Sequence, residues 1–346
     1  MKYQFDSAFI LDCFRELVAV PSPVGYYVQM NPVVEAMAAR MGLSVTYDNK
    51  STAYITLDGE DNSRTVMIGA HLDTIGMVVR RIDPNGMIRI RQLGGINFHS
   101  AEGETVTIHT RSGRCVTGIL TAQSHSVHVF DDAKDQKRDE EHMMIILDEP
   151  VKCRDDVVKL GIHHGDPISV EPHCEVTANG YLKSRFIDDK AAVACAFTAI
   201  KYLLDSGRKP LYRTVFAFPY AEEIGMGGNY VPPEVSEYIA IDIGLIGPDY
   251  EGDEHRVSIC CKDNATPYHY GLTSHLIELA EKNGIPHAVD IFYRYGTDAS
   301  AALRAGNNVK VGAFGMAVYC SHGRERTHID GLAATTDLML AYLLEK

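Results

Sequence analysis

TVMIGAHLD, residues 65–73, joins a continuous apolar run to a histidine and an aspartate two positions apart. A strand apolar on every residue, rather than on alternate ones, fits a sheet covered on both faces. Segments of the same texture recur at 214–220 (TVFAFPY), 237–242 (EYIAID), 287–292 (HAVDIF) and 309–315 (VKVGAFG). Apolar residues at helical spacing predict helices over 7–19, 31–41, 189–205, 273–283 and 331–345, with Pro32 suited to a first helical turn. Two short strands, VTYD and AYITL, and a polar turn, DGEDNSR (58–64), precede the quoted stretch. Helices alternating with apolar strands give an α/β sheet with helices on both faces.

The texture changes between residues 81 and 175. Short alternating segments such as GMIRIRQL, ETVTIHTRSG, CVTGILTAQ and DPISVEP are separated by Gly, Asp and Asn turns. DDAKDQKRDEEH (131–142) reads as a solvated loop, and a short helix is expected at 153–161. This block is a β-rich module, a small barrel or sandwich, inserted into an α/β domain made of 1–80 plus 176–346.

The chain has 346 residues, 45% of them hydrophobic and 23% charged, which is enough for a large core without disulfides. A net charge of −13 argues against holding nucleic acid or anionic lipid through bulk charge. The eight cysteines include no CxxC pair and read as reduced, mostly buried thiols. The opening segment has no signal-peptide core, and no apolar run is long enough to span a membrane, so a cytoplasmic protein is expected.

Function is written where the strands end. TVMIGA runs into His71 and Asp73, TVFAFPYA into Glu222 and Glu223, EYIAI into Asp242, and VKVGAFGMAVYCS into His322. Asp188 and Asp189 immediately precede a strong helix. In open α/β sheets the carboxyl ends of the strands form the ligand crevice. Imidazoles and carboxylates gathered there suit Zn²⁺, Mn²⁺ or Co²⁺, and a two-metal site needs a carboxylate between the ions, a position Asp188 could fill. Taken singly, each motif is an ordinary strand end, helix cap or exposed loop. Their common placement points to metal chemistry.

AHLDTIG, SRFIDDKAA, YAEEIGMGG, IAIDIG, GTDAS and the late His322 together resemble the TET-type, glutamyl-aminopeptidase-like family of dinuclear metallo-aminopeptidases. The similarity extends into the β module through LGGINF, CVTGILTAQSH and LGIHHGDPISVEP. The resemblance implies a zinc-exopeptidase-like fold with a mixed sheet, and an inserted dimerisation and assembly domain. It also implies an aminopeptidase that removes N-terminal residues from peptides. Two divalent ions per subunit are implied, zinc foremost, with cobalt or manganese as alternatives. Carried over by position, His71, Asp188, Glu223, Asp242 and His322 resemble the metal ligands, with Asp188 as the bridge. Glu222 resembles the general base that takes a proton from the activated water and returns it to the leaving amine, and Asp73 the residue that orients His71. Glu222 and Glu223, adjacent in sequence, must then point apart. Gly296, Thr297 and Asp298 are expected on the substrate side. The partners implied are a peptide and further copies of the chain, a dodecamer built from dimers being one form relatives take.

Lys190 follows the Asp pair where the family usually has Arg, and the last histidine sits in Tyr319-Cys320-Ser321-His322-Gly323, one residue off the usual pattern. Spacing to the final helix favours His322 over His328 as the last ligand. These departures mark a divergent branch. They leave open a related hydrolase of N-acyl or amidated peptides, or a catalytically silent oligomeric homologue. His125 and His128, in a β context, read as loop histidines.

Overall fold

The computed structural model describes residues 2–346. The chain forms two compact units, one from the segment up to Asp73 together with His173–Lys346, the other from Thr74–Pro172.

The first unit is built on a nine-stranded mixed sheet. Its spatial order begins Thr46–Tyr47, Ala53–Leu57, Tyr212–Phe218, Asp61–Gly69, and continues Val235–Ile241, Lys310–Val318, Val257–Lys262, His287–Ile291, while the ninth strand, Gly244–Leu245, pairs off this path with the end of Lys310–Val318. The four central strands, from Tyr212–Phe218 to Lys310–Val318, run parallel to one another. Antiparallel pairing flanks them on both sides, through Ala53–Leu57 and Val257–Lys262. Every residue from Thr65 to Gly69 is buried, as a strand covered on both faces requires. Helix Ile187–Ser206 packs against Ser7–Val18 and Ile329–Leu344, and Asp298–Arg304 lies against Val235–Ile241 and Lys310–Val318. Local chemistry sets the helix ends: Asp6 accepts the Ala8 N–H at 2.9 Å, and Gly207 closes Ile187–Ser206 at φ +66°.

The expected elements form with shifted limits. The segment read as the turn 58–64 instead begins the strand Asp61–Gly69, whose exposed first half is polar. The strand Val257–Lys262 (VSICCK) is not among the expected elements, because Ser258, two cysteines and Lys262 hide a buried β run. A three-stranded antiparallel sheet of Glu175–Val176, Tyr181–Ser184 and Glu325–His328 was also missed.

In the second unit Gly76–Ile82, Ile88–Leu93, Met143–Leu147, Cys115–Ala122, Thr105–His109 and Pro167–Val170 close into a barrel. Cys115–Ala122 shows the alternation that a barrel wall demands, with Val116, Leu120 and Ala122 buried. Gly118 is needed there, since a Cβ would fall 2.5 Å from the Ile146 carbonyl oxygen. The charged stretch 131–142 forms turns, and Arg138 within it bonds Glu102 at 2.8 Å. Arg154–Lys159 is helical.

All eight cysteines are free thiols. The expectation that most are buried is corrected: Cys13, Cys195 and Cys260 are buried, whereas Cys115, Cys153, Cys174 and Cys320 are exposed. Exposed thiols in strand ends and turns carry no apolar flanking signal. Among the described residues no helix is long and apolar enough to cross a membrane.

Candidate metal centre

Because the four central strands are parallel neighbours, their carboxyl ends deliver side chains to one edge of the sheet. Asp61–Gly69 leads to His71 and Asp73, Tyr212–Phe218 to the short turn of helix Glu222–Ile224, Val235–Ile241 to Asp242, and Lys310–Val318 to the turn holding His322. Helix Ile187–Ser206 brings Asp188 and Asp189, whose backbone departs from helical angles and whose shared peptide bond is cis.

Asp188 stands between the two histidines. Its Oδ1 is 3.1 Å from His71 Nε2, and its Oδ2 is 3.5 Å from His322 Nε2. Glu223 Oε2 lies 3.2 Å from His322 Nε2, while Glu222 Oε2 lies 3.8 Å from His71 Nε2. The adjacent glutamates therefore face different histidines. Asp242 joins His71 and Glu222, and also Asp188 and Asp189, in groups whose ligand atoms lie within 4.8 Å of one another.

Surrounding groups fix this arrangement. His71 Nδ1 is 2.9 Å from the Asp73 carbonyl oxygen, a bond in which Nδ1 must donate, so the ring is held with Nε2 turned to Asp188. The Asp73 carboxylate accepts the N–H groups of both Glu222 and Glu223 at 3.1 Å, so this residue shapes the glutamate turn as well as holding His71. Asp189 accepts the His71 N–H at 3.1 Å. Glu325 accepts the N–H of Asp188 at 3.0 Å and that of His322 at 3.1 Å. The Tyr295 hydroxyl beside Asp242 favours its ionised form. Nothing in the sequence marks Glu325, which sits between two arginines in a run that reads as surface.

The electrostatics are those of a crowded acidic cluster. Burial raises Glu223 to about 8, against the pull of His322, and raises Asp242 to about 7 with help from Asp188. Burial also lifts Glu222 well above the carboxylate range, with His71 opposing and Asp242 and Asp298 adding to the rise. Burial opposes ionisation of Asp188 too, but its bonds to His322 and His71 outweigh it and hold Asp188 below its ordinary value. The nearest lysine in sequence, Lys190, donates instead to the carbonyls of Leu17 and Val20, at 3.2 and 2.7 Å. Asp189 Oδ1 is buried with no hydrogen-bond partner. An excess of buried oxygen donors, two imidazole nitrogens and an orphaned carboxylate oxygen fit divalent cations of the zinc, manganese or cobalt type.

Of the other expected positions, Thr297 and Asp298 are buried and Gly296 is half-buried. Thr297 is 2% exposed; its Oγ1 caps helix Asp298–Arg304 and lies 2.7 Å from the Tyr268 hydroxyl. Asp298 accepts the Gly228 N–H at 2.6 Å, and burial and Asp73 raise it to about 7 despite His71. A Cβ on Gly296 would sit 3.1 Å from Asn264 Oδ1. His328 is not among the groups around Asp188; its Nε2 bonds the Asn179 carbonyl.

Residues 51–338 match the model of the M42 glutamyl aminopeptidase family. The chain belongs to that family. Along the M42 fold the chain is 41% identical to the putative aminopeptidase YhfE of Bacillus subtilis over 334 residues, 96% of each chain. It is 23% identical to the glutamyl aminopeptidase of Lactococcus lactis over 342 residues, 91% of this chain and 90% of that one. Among solved structures it resembles the TET1 peptidase of Pyrococcus horikoshii, with a TM-score of 0.84 at 23% identity, covering 97% of this chain and all of that one. The TET aminopeptidase of a marine Thaumarchaeota archaeon superposes with a TM-score of 0.86 at 18% identity, covering 96% and 95%. Membership of M42 makes this chain a peptidase of the aminopeptidase kind.

Proposed function

We propose that this M42 protein is a metal-dependent aminopeptidase that hydrolyses the N-terminal peptide bond of peptides. In this reading His71, Asp188, Glu223, Asp242 and His322 hold two divalent ions, and Glu222 is the general base. The supporting observation is the division of ligands around Asp188, which turns one oxygen to each histidine while Glu222 and Glu223 face different histidines. Two bound cations would supply a polarised scissile carbonyl and a water of lowered pKa. Glu222, raised by burial well above the ordinary carboxylate range, is suited to take that proton and pass it to the departing amine. Asp73 keeps the glutamate turn in place and fixes the His71 tautomer. Gly296, Thr297 and Asp298 form the substrate side in this reading, with Asp298 bracing the segment Gly227–Asn229 through the Gly228 N–H and Thr297 capping the helix that carries Asp298. Zinc is the preferred ion, with cobalt and manganese as alternatives. The Pyrococcus TET1 peptidase assembles into a tetrahedron or an octahedral shell, which supports a homo-oligomer here, joined through the unit Thr74–Pro172.

The test uses protein stripped by chelator and reloaded with Zn²⁺, Mn²⁺ or Co²⁺, assayed on matched aminoacyl and N-acetyl-aminoacyl amides. Cleavage of the free-amine series alone is expected. Glu222→Gln should lose roughly 10²–10⁴-fold in rate while keeping its metal content. Turnover confined to the acetylated series would replace the aminopeptidase with a hydrolase of blocked peptides.

A further inference from the structure

His328 is left over from the buried centre, and its own surroundings have a chemistry. It ends the strand Glu325–His328 and caps helix Ile329–Leu344. Its ring centroid lies 4.3 Å from that of His255. Asp330 Oδ2 is 3.0 Å from His255 Nδ1 and 3.2 Å from His328 Nδ1.

The hydrogen positions on His328 are constrained. Its Nε2 is 2.7 Å from the Asn179 carbonyl oxygen and must carry a proton to make that bond. Its Nδ1 accepts the Asp330 N–H at 3.1 Å and must therefore be bare. A bare ring nitrogen 3.2 Å from a carboxylate oxygen sets two lone pairs against each other. A cation between them turns that repulsion into coordination. Anchoring an imidazole by its far N–H to a backbone carbonyl is also how metal-binding histidines are oriented. Gly180 makes room for the anchor: at φ +84° it passes so close to the ring that a Cβ would fall 2.7 Å from His328 Nε2.

Access comes from the other two residues. The side chains of His255 and Asp330 are 47% and 61% exposed, and both line a surface cleft of about 460 Å³ that also includes Asp253 and Asp337.

We propose that His255, His328 and Asp330 form a separate, solvent-accessible site for a divalent transition-metal cation, with Zn²⁺ as its probe and water completing the coordination. The three ligand atoms already lie within 4.8 Å of one another. Two imidazoles with one carboxylate select Zn²⁺, Co²⁺, Ni²⁺ or Cu²⁺ over Mg²⁺ and Ca²⁺, which take oxygen sets. On binding, the ion takes the His328 Nδ1 lone pair in place of the Asp330 N–H, one of the first-turn N–H groups of helix Ile329–Leu344 that have no acceptor within the helix.

The full-length protein would be equilibrated with Zn²⁺ in excess Mg²⁺, passed through a desalting column and analysed for metal per chain. Wild type should carry one more Zn²⁺ than either His255→Ala or Asp330→Asn, both changes at exposed side chains. His322→Ala should retain that additional ion, which separates it from the buried centre. Equal zinc content in wild type and both variants would overturn the proposal, as would displacement of the extra ion by Mg²⁺ or its loss in His322→Ala. The comparison is a difference between proteins, so it stands or falls whatever the occupancy around Asp188.

Discussion

Glu325 accepts two backbone N–H groups with one carboxylate, and the two belong to Asp188 and His322, which lie far apart in sequence. It is 2% exposed, and burial together with the nearby Asp188 raises it well above the ordinary carboxylate value. Glu325→Gln keeps one acceptor and sets an NH₂ group against the other N–H. We expect about a 10–100-fold weaker hold on metal in chelator competition, the usual cost of losing an outer-sphere support, with an unchanged far-UV spectrum. Retention equal to wild type would show that Asp188 and His322 are positioned by other means. The contrast with His71 explains what could be read in advance. His71, Asp73, Glu222, Glu223 and Asp242 each follow an apolar strand directly, so the strand announces them. Glu325 lies in a four-residue strand with no apolar residue, and only the folded turn at His322 brings it to Asp188.

Elements were legible where burial made them continuous in hydrophobicity, as in the buried half Thr65–Gly69 and in Lys310–Val318, and obscure where a strand began polar, where two strand residues were cysteines or where pairing was short. The barrel strands could be read from alternation, yet one of them hides a titratable group. His109, at the end of Thr105–His109, is 3% exposed; its Nε2 is 2.9 Å from Ser169 Oγ on the paired strand Pro167–Val170. Burial lowers its pKa from 6.5 to about 4. Below pH 6.5 the unfolded chain takes up a proton that the folded chain refuses until about pH 4, so stability falls as pH falls across that window and then levels. The whole effect is on the order of 3 kcal/mol. Hydrogen exchange of the barrel amides, corrected for intrinsic rate, should show protection dropping between pH 7 and pH 4.5. His109→Gln should flatten the drop, and an equal drop in the variant would locate the titration elsewhere.

At the scale of the whole molecule the sequence carried the two-part organisation as a change of texture, while its limits were set by contacts that texture does not record. Assembly is the property least visible in one chain, since an interface between copies has no partner to reveal it. If the M42 protein assembles as proposed, light scattering after size exclusion at low and high salt will give a mass several times 38.2 kDa. A mass of one chain at micromolar concentration would remove assembly from the account.

The placement of the barrel has a consequence for the order in which this protein is made. Thr74–Pro172 is contiguous, whereas the strand leading to His71 must wait for parallel neighbours that begin at Tyr212 and Val235. Domains fold largely as units while the chain emerges from the ribosome. The barrel can close while the sheet it interrupts is still half synthesised, and His322 arrives only when most of the chain is out. No early fragment carries the complete donor set. The donor set of the proposed metal centre is therefore complete only late in synthesis, after the barrel that interrupts the sheet is already out.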